Sequence, residues 1–131
     1  MFARLERYSP YALAALRIIA ALLFIEHGLM KLIHFPAAQP GMDGPLPPLL
    51  LVASLLEIIG GSFVALGVFT RPSAFVLSGM MAVAYFMAHF PKGFWPALNG
   101  GDAAILFCFI FFYISTAGPG ALSLDGVLKR R

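Results

Sequence analysis

Ionisable side chains interrupt the first long apolar run of the chain, where residues 23–32 read LFIEHGLMKL. Glu26 and His27 can exchange protons or accept hydrogen bonds, and Lys31 can hold an anion. A charge inside such a run costs about 2.5–3.5 kcal/mol when the helix enters a bilayer, so an ionisable residue there indicates a functional site or an ion pair. Later apolar runs contribute Glu57, His89 and Asp102.

The composition is that of an integral membrane protein. Of the 131 residues, 60% are hydrophobic and 11% are charged, whereas about 25% are charged in soluble domains. The mean hydropathy is +0.88. A net charge of +3 is compatible with binding nucleic acid, but the basic residues flank the apolar runs. We therefore expect the lipid bilayer as a partner and no nucleic acid.

Four apolar runs, each of which predicts a membrane-spanning helix, organise the chain as one membrane domain, residues 1–131. They cover about residues 11–33, 49–68, 73–90 and 102–116. The connection 34–48 contains five prolines and forms a loop. No run alternates polar and apolar residues as barrel strands do. The predicted fold is therefore all-α, a bundle of four transmembrane helices.

Lysine and arginine are distributed unequally between the two ends of these spans. With four spans, the end shared by both termini carries six of them: Arg4, Arg7, Arg71, Lys129, Arg130 and Arg131. The opposite end carries Lys31 and Lys92. Positive residues concentrate on the cytoplasmic side, so both termini are expected in the cytoplasm.

Helix rise then brings the polar groups of different spans to similar depths. Glu26, His27, Lys31, His89 and Asp102 are expected in the outer half of the bundle, with Glu57 below them. We expect a polar pocket open to the outer face. An apolar, aromatic slot with groups that move protons suits a quinone. The aromatic residues expected as its walls are Phe24, Phe86, Phe90, Phe107 and Phe109.

Structural roles remain open for the same residues. Arg17 and Glu57 are expected to form a charge pair that holds the first two spans together. Lys31 can instead extend to the membrane surface, and His89 can hydrogen-bond a backbone carbonyl. Asp102 can cap the helix that it begins.

No metal site is expected. Glu26 and His27 are adjacent, unlike the Glu-x-x-His spacing of di-iron bundles. The single cysteine, Cys108, cannot form a CxxC pair, and no GxGxxG, P-loop or HExxH motif occurs.

Taken together, short motifs along nearly the whole chain resemble the DoxX family of small membrane proteins. In order they are Arg17 with FIEHGLMKL, EIIGG at 57–61 with Gly67, TRP at 70–72, His89, NGGD at 99–102, and AGPGALSLD near the end. The family commonly has Glu where Asp102 stands.

The resemblance implies a four-helix protein of the bacterial inner (plasma) membrane. One family member is a subunit of a thiosulfate:quinone oxidoreductase, and others are linked to oxidative stress through redox partner proteins. We therefore expect a quinone-interacting redox subunit or membrane anchor; if it is an enzyme, it is a subunit of a quinone-dependent oxidoreductase. Residues assigned to catalysis are Glu26, His89 and Glu57, and those assigned to binding are His27, Lys31, Tyr85, Asp102 and Asn99. Lys31 would bind an anion such as thiosulfate.

Two alternatives belong to other functional classes. One is a non-enzymatic scaffold whose charges only specify helix pairing and whose loops receive partner proteins. The other is a small transporter or proton pathway, although most polar groups stay in one half of the bundle. Glu26 points away from the stripe of Arg17, Gly28 and Lys31, which suggests a contact between two copies in a homo-oligomer.

Overall fold

The computed structural model describes residues 4–129, and these are helical without strands. Arg130 and Arg131 of the predicted basic cluster lie outside the described residues. Four helices make up most of the chain: α1 (Ser9–Ile33), α2 (Pro48–Leu66), α3 (Thr70–Ala84) and α5 (Asp102–Ala117). Two short helices complete the described chain: α4 (Pro96–Asn99) lies within the second connection, and α6 (Leu124–Leu128) follows α5.

Within the described residues, three helical segments are long and apolar enough to cross a membrane: Glu6–Ile33, Pro48–Leu66 and Thr70–Lys92. The fourth apolar helix, α5, has 16 residues and spans about 24 Å. The sequence predicts four spans, and the structure provides three of full length and one shorter apolar helix. Helices α1, α2 and α5 begin and end within two residues of the predicted bounds, whereas α3 begins three residues earlier and ends as an α-helix at Ala84.

Helices α1 and α2 approach each other closely because glycines lie at their crossing. A β-carbon at Gly28 would lie 2.9 Å from the carbonyl oxygen of Ser54 and 3.0 Å from the β-carbon of Glu57. One at Gly61 would lie 2.8 Å from Ile25. Small residues at such contacts let two helix backbones meet. The register is thereby fixed, with Gly28 level with Glu57.

Helix α3 packs mainly against α5, and a buried apolar core joins this pair to the first. The core includes Phe24, Val64, Leu77, Phe111 and Ile114. Large apolar side chains also cover the outside of the bundle, as expected for a surface that faces lipid.

The helical segment that continues from α3 is wound differently from an α-helix. Tyr85–His89 form a π-helical turn, and Phe90–Lys92 form a 3₁₀ turn. A π turn contains an extra residue, so it shifts the side chains that follow around the helix axis. His89 lies at the end of this turn. The sequence analysis expected a regular helix to residue 90.

We call the end of the bundle with the connections 34–47 and 93–101 the loop end, and the opposite end, where α2 turns into α3, the turn end. Helix α6 lies at the turn end, where Asp125 N–H donates to the carbonyl oxygen of Gly67 at 2.7 Å. Phe69 N–H and Thr70 N–H donate to the two carboxylate oxygens of Asp125, each at 3.0 Å. Asp125 therefore caps the start of α3 from a distant part of the chain.

Arg71 fastens the end of α5 in a similar way. Its guanidinium donates to the carbonyl oxygens of Ser115, Thr116 and Ala117, which the helix itself leaves without partners. A cation at a helix C-terminus also complements the helix dipole. The basic side chain that was counted for topology thus also has a structural role.

Asp125→Asn should destabilise the protein, because an amide keeps only one of the two acceptor oxygens. Partial burial raises the pKa of Asp125, but hydrogen bonds from Thr70 and Phe69 and the charge of Lys129 outweigh it, so the pKa lies below its ordinary value. The carboxylate then stabilises the fold above the unfolded-state pKa of about 3.9, and this contribution disappears as pH falls through the lower folded-state pKa.

The measurement is thermal unfolding of purified protein at neutral and at acidic pH. Asp125→Asn should lose about 1 kcal/mol at neutral pH and match the wild type in strong acid. Asp43→Asn, an exposed carboxylate in the first loop, is the control and should change little. A deficit of equal size at both pH values would contradict this role of Asp125.

Candidate functional site

A cavity of about 500 Å³ opens between α1, α2, α3 and α5 at the loop end. Its polar lining consists of His27, Lys31, Gln39, Glu57, His89 and Lys92. Its larger apolar lining side chains are Phe24, Met30, Met42, Leu50, Met80, Met81 and Phe107. Four of the residues selected from the sequence therefore meet around one space.

A buried ion pair forms one wall of this cavity. The Nζ atom of Lys31 lies 2.8 Å from Oε1 and 2.7 Å from Oε2 of Glu57. The side chains of Lys31 and Glu57 are only 9% and 4% exposed, respectively. A further contact joins Nζ to the carbonyl oxygen of His27 at 3.4 Å. The close approach at Gly28 places the glutamate one helical turn from Lys31, so the two side chains meet.

The expected pair of Arg17 and Glu57 is not formed. Arg17 is fully buried, but it donates to the carbonyl oxygens of Val64 at 3.2 Å and Leu122 at 2.9 Å. Val64 follows Glu57 by two turns of α2, about 10 Å further toward the turn end. Arg17 therefore ties α1 to the C-terminal segment, and Lys31 takes the glutamate.

Two histidines of the lining are oriented in the same manner. His27 Nδ1 lies 2.8 Å from the carbonyl oxygen of Leu23, and His89 Nδ1 lies 3.2 Å from that of Asn99. A carbonyl oxygen only accepts, so Nδ1 carries the hydrogen in both rings. In a neutral imidazole this leaves Nε2 with a free lone pair. Each ring thus keeps one nitrogen for a ligand.

Asn99 and Tyr85 support the site without lining the cavity. The amide nitrogen of Asn99, which is buried, donates to the carbonyl oxygen of Gly93 at 2.8 Å and to the hydroxyl of Tyr85 at 3.3 Å. Its amide oxygen accepts from Gly101 N–H at 2.8 Å. Both residues therefore position the loop whose Asn99 carbonyl contacts His89, and the binding role expected for them stays a prediction.

Glu26 and Asp102 lie away from the cavity. Glu26 is partly exposed on another face of α1, and Asp102 is exposed at the first turn of α5. Helix α5 turns Ala104, Phe111 and Ile114 inward. Leu106, Phe109 and Tyr113 are exposed. A uniformly apolar helix gives the sequence little sign of which face is buried.

The aromatic walls are fewer than expected. Phe24 and Phe107 line the cavity with ring centroids 5.3 Å apart. Phe86, Phe90 and Phe109 are exposed on the outside. Much of the remaining wall consists of methionines that the sequence analysis did not select. Met30 lies one turn from His27 on α1, and this spacing was visible in the sequence.

No group of three or more His, Cys, Asp and Glu side chains within residues 4–129 is arranged to hold a metal ion. Because Glu57 is already paired with Lys31, the Nε2 atoms of His27 and His89 remain available for a ligand.

Sequence comparison identifies the family of this chain. A profile of the DoxX family matches residues 12–90, which include α1, α2 and α3. The chain belongs to the DoxX family. The resemblance drawn from its motifs is thereby confirmed, and so is its character as a membrane protein.

Two relatives of this DoxX protein extend over almost its full length. It is 47% identical over 125 residues to an uncharacterized protein of Haemophilus influenzae, covering 92% of this chain and 93% of the relative. It is 25% identical over 142 residues to an uncharacterized membrane protein of Mycobacterium tuberculosis, covering 97% and 87%. No solved structure matches the chain closely enough for comparison.

Glu57→Gln should destabilise the protein, because the ammonium of Lys31 then remains buried without a counter-charge. Removing one partner of a buried ion pair typically costs about 3–5 kcal/mol. Unfolding of the detergent-solubilised protein measures the loss. Glu26→Gln, a partly exposed carboxylate outside the cavity, is the matched control. Equal stability of the two variants would contradict the pairing of Lys31 with Glu57.

Proposed function

We propose that this DoxX protein is a quinone-interacting subunit or membrane anchor of a redox assembly in the bacterial inner membrane. The observation that carries the proposal is the cavity at the loop end, where aromatic and apolar walls surround two imidazoles with free Nε2 atoms. A volume of about 500 Å³ is typical of sites for small organic ligands, which span about 300–1,000 Å³.

The distribution of charge supports four spans with both termini in the cytoplasm. Arg4, Arg7, Arg71 and Lys129 lie toward the turn end, and Lys31 and Lys92 lie toward the loop end. Under this topology the cavity opens toward the outer surface. The short helix α5 can span if the bilayer thins locally or neighbouring residues extend to the interface.

A neutral ligand suits the cavity better than an anion. The ammonium of Lys31 already donates to both oxygens of Glu57, so little of its charge remains for thiosulfate. A quinone ring is flat and uncharged, and it can pack between Phe24 and Met side chains. We therefore assign Lys31 to the support of the site, in place of the anion-binding role expected from the sequence.

The histidines can supply the protons of quinone chemistry. A quinone takes up two electrons and two protons to become a quinol. A protonated Nε2 of His27 or His89 can donate to a quinone carbonyl, and a neutral Nε2 can accept from a quinol hydroxyl. Cys108 is the one cysteine of the chain, so no dithiol carries the two electrons. A partner redox protein would deliver them.

Binding of a short-chain benzoquinone to the purified protein in nanodiscs tests the proposal. His89→Asn and Phe107→Ala should each weaken binding about tenfold, the equivalent of about 1.4 kcal/mol. His34→Asn is the control, because His34 is exposed outside the cavity. If the wild type and His89→Asn bind the quinone equally, the cavity is not its site. If the wild type binds none, the scaffold alternative is favoured.

A further inference from the structure

Four of the six methionines in the sequence line the same cavity. We propose that this cavity binds a soft monovalent metal ion, Cu(I), through methionine thioethers and histidine imidazoles. The candidate donors among the lining residues are Met30, Met42, Met80, Met81, His27 and His89, and a subset of them would hold one ion. The proposal goes beyond quinone binding and does not depend on it, since the ion requires only these side chains.

The thioether sulfur atoms of the methionines indicate which metal ion the cavity would prefer. Soft sulfur ligands select Cu(I), and imidazole also binds copper, whereas carboxylate and water suit harder ions. The carboxylate in the cavity, that of Glu57, is occupied by Lys31. A hard dication would therefore find no free carboxylate among the lining residues. A monovalent ion with neutral sulfur and nitrogen ligands needs none.

The two histidines have the orientation that metal ligands require. A histidine that binds a metal through one nitrogen usually donates the hydrogen of the other to a carboxylate or a backbone carbonyl. His27 donates from Nδ1 to the carbonyl oxygen of Leu23, and His89 to that of Asn99. Both rings are thus held with Nε2 as the available ligand atom.

The candidate donors come from three parts of the chain. His27 and Met30 are three residues apart on α1, so they lie on neighbouring turns of one face. Met80 and Met81 belong to α3, and Met42 belongs to the loop that covers the cavity. Unbranched methionine side chains adapt to the position of a ligand.

Small residues also line the cavity, namely Ala53, Ala84, Ala88 and Ala103. Larger side chains at these positions would reduce its volume. Here the methionines line an open cavity of about 500 Å³.

The charges around the cavity are compatible with one additional positive ion. The ammonium of Lys31 is offset by the carboxylate of Glu57 at 2.7 Å. Lys92 is exposed, so water screens its charge.

Anaerobic titration of the detergent-solubilised protein with Cu(I), in competition with a chromogenic Cu(I) chelator, tests this proposal. No quinone is added, so failure of the quinone proposal leaves this result unaffected. The wild type should bind one ion per chain. Met30→Leu and the double variant Met80→Leu/Met81→Leu should each lower the affinity about tenfold or more, as loss of a metal-site contact does.

Met87→Leu is the matched control. Met87 lies on the same helical segment as Met80 and Met81 but is exposed outside the cavity, so its loss should leave the affinity unchanged. Methionine and leucine have similar volumes, so the variants should fold, and circular dichroism verifies this. X-ray absorption of the bound copper should show both sulfur and nitrogen neighbours.

Two results would overturn the proposal. One is that the wild-type protein takes no Cu(I) from the chelator at any concentration at which the chelator can be used. The other is a folded Met80→Leu/Met81→Leu variant that binds Cu(I) as tightly as Met87→Leu. If that variant does not fold, His27→Asn provides the second comparison, with exposed His34→Asn as its control; equal affinities there would also refute the site.

Discussion

A lysine and a glutamate buried between two apolar helices constrain the whole loop end of this protein. Each charge would be costly to bury alone, so Lys31 and Glu57 must keep the register in which α1 and α2 meet. Gly28 permits that register because its backbone lies against Glu57 and Ser54. The position of the cavity follows from it, since the same turn of α1 carries His27.

The two ends of the bundle use their polar residues differently. At the turn end, Asp125 and Arg71 satisfy the backbone groups of helix termini, and Arg17 binds two carbonyl oxygens. At the loop end, His27 and His89 commit one nitrogen to the backbone and retain the other. The polar residues of the turn end therefore hold helix termini together, whereas those of the loop end retain atoms that a ligand can contact.

Much of the helical architecture was predictable from the sequence, because long apolar runs separated by prolines and glycines leave few alternatives. The meeting of His27, Lys31, Glu57 and His89 at one end could be predicted from helix rise together with the alternating direction of the helices. The partner of Glu57 was not predictable, since the choice between Arg17 and Lys31 depends on the register set at Gly28. The inward face of α5 was also hidden, because that helix is apolar all round. The capping role of Asp125 was not predictable either, because the helix that it caps begins more than 50 residues earlier in the sequence.

The coupling between Lys31 and Glu57 tests the account most directly. A double-mutant cycle with Lys31→Met and Glu57→Gln, read from unfolding of the solubilised protein, measures it. The account predicts that the double variant is far more stable than the sum of the two single losses implies, with a coupling energy of about 2–3 kcal/mol. Losses that add within about 0.5 kcal/mol would contradict the buried pair on which the cavity depends.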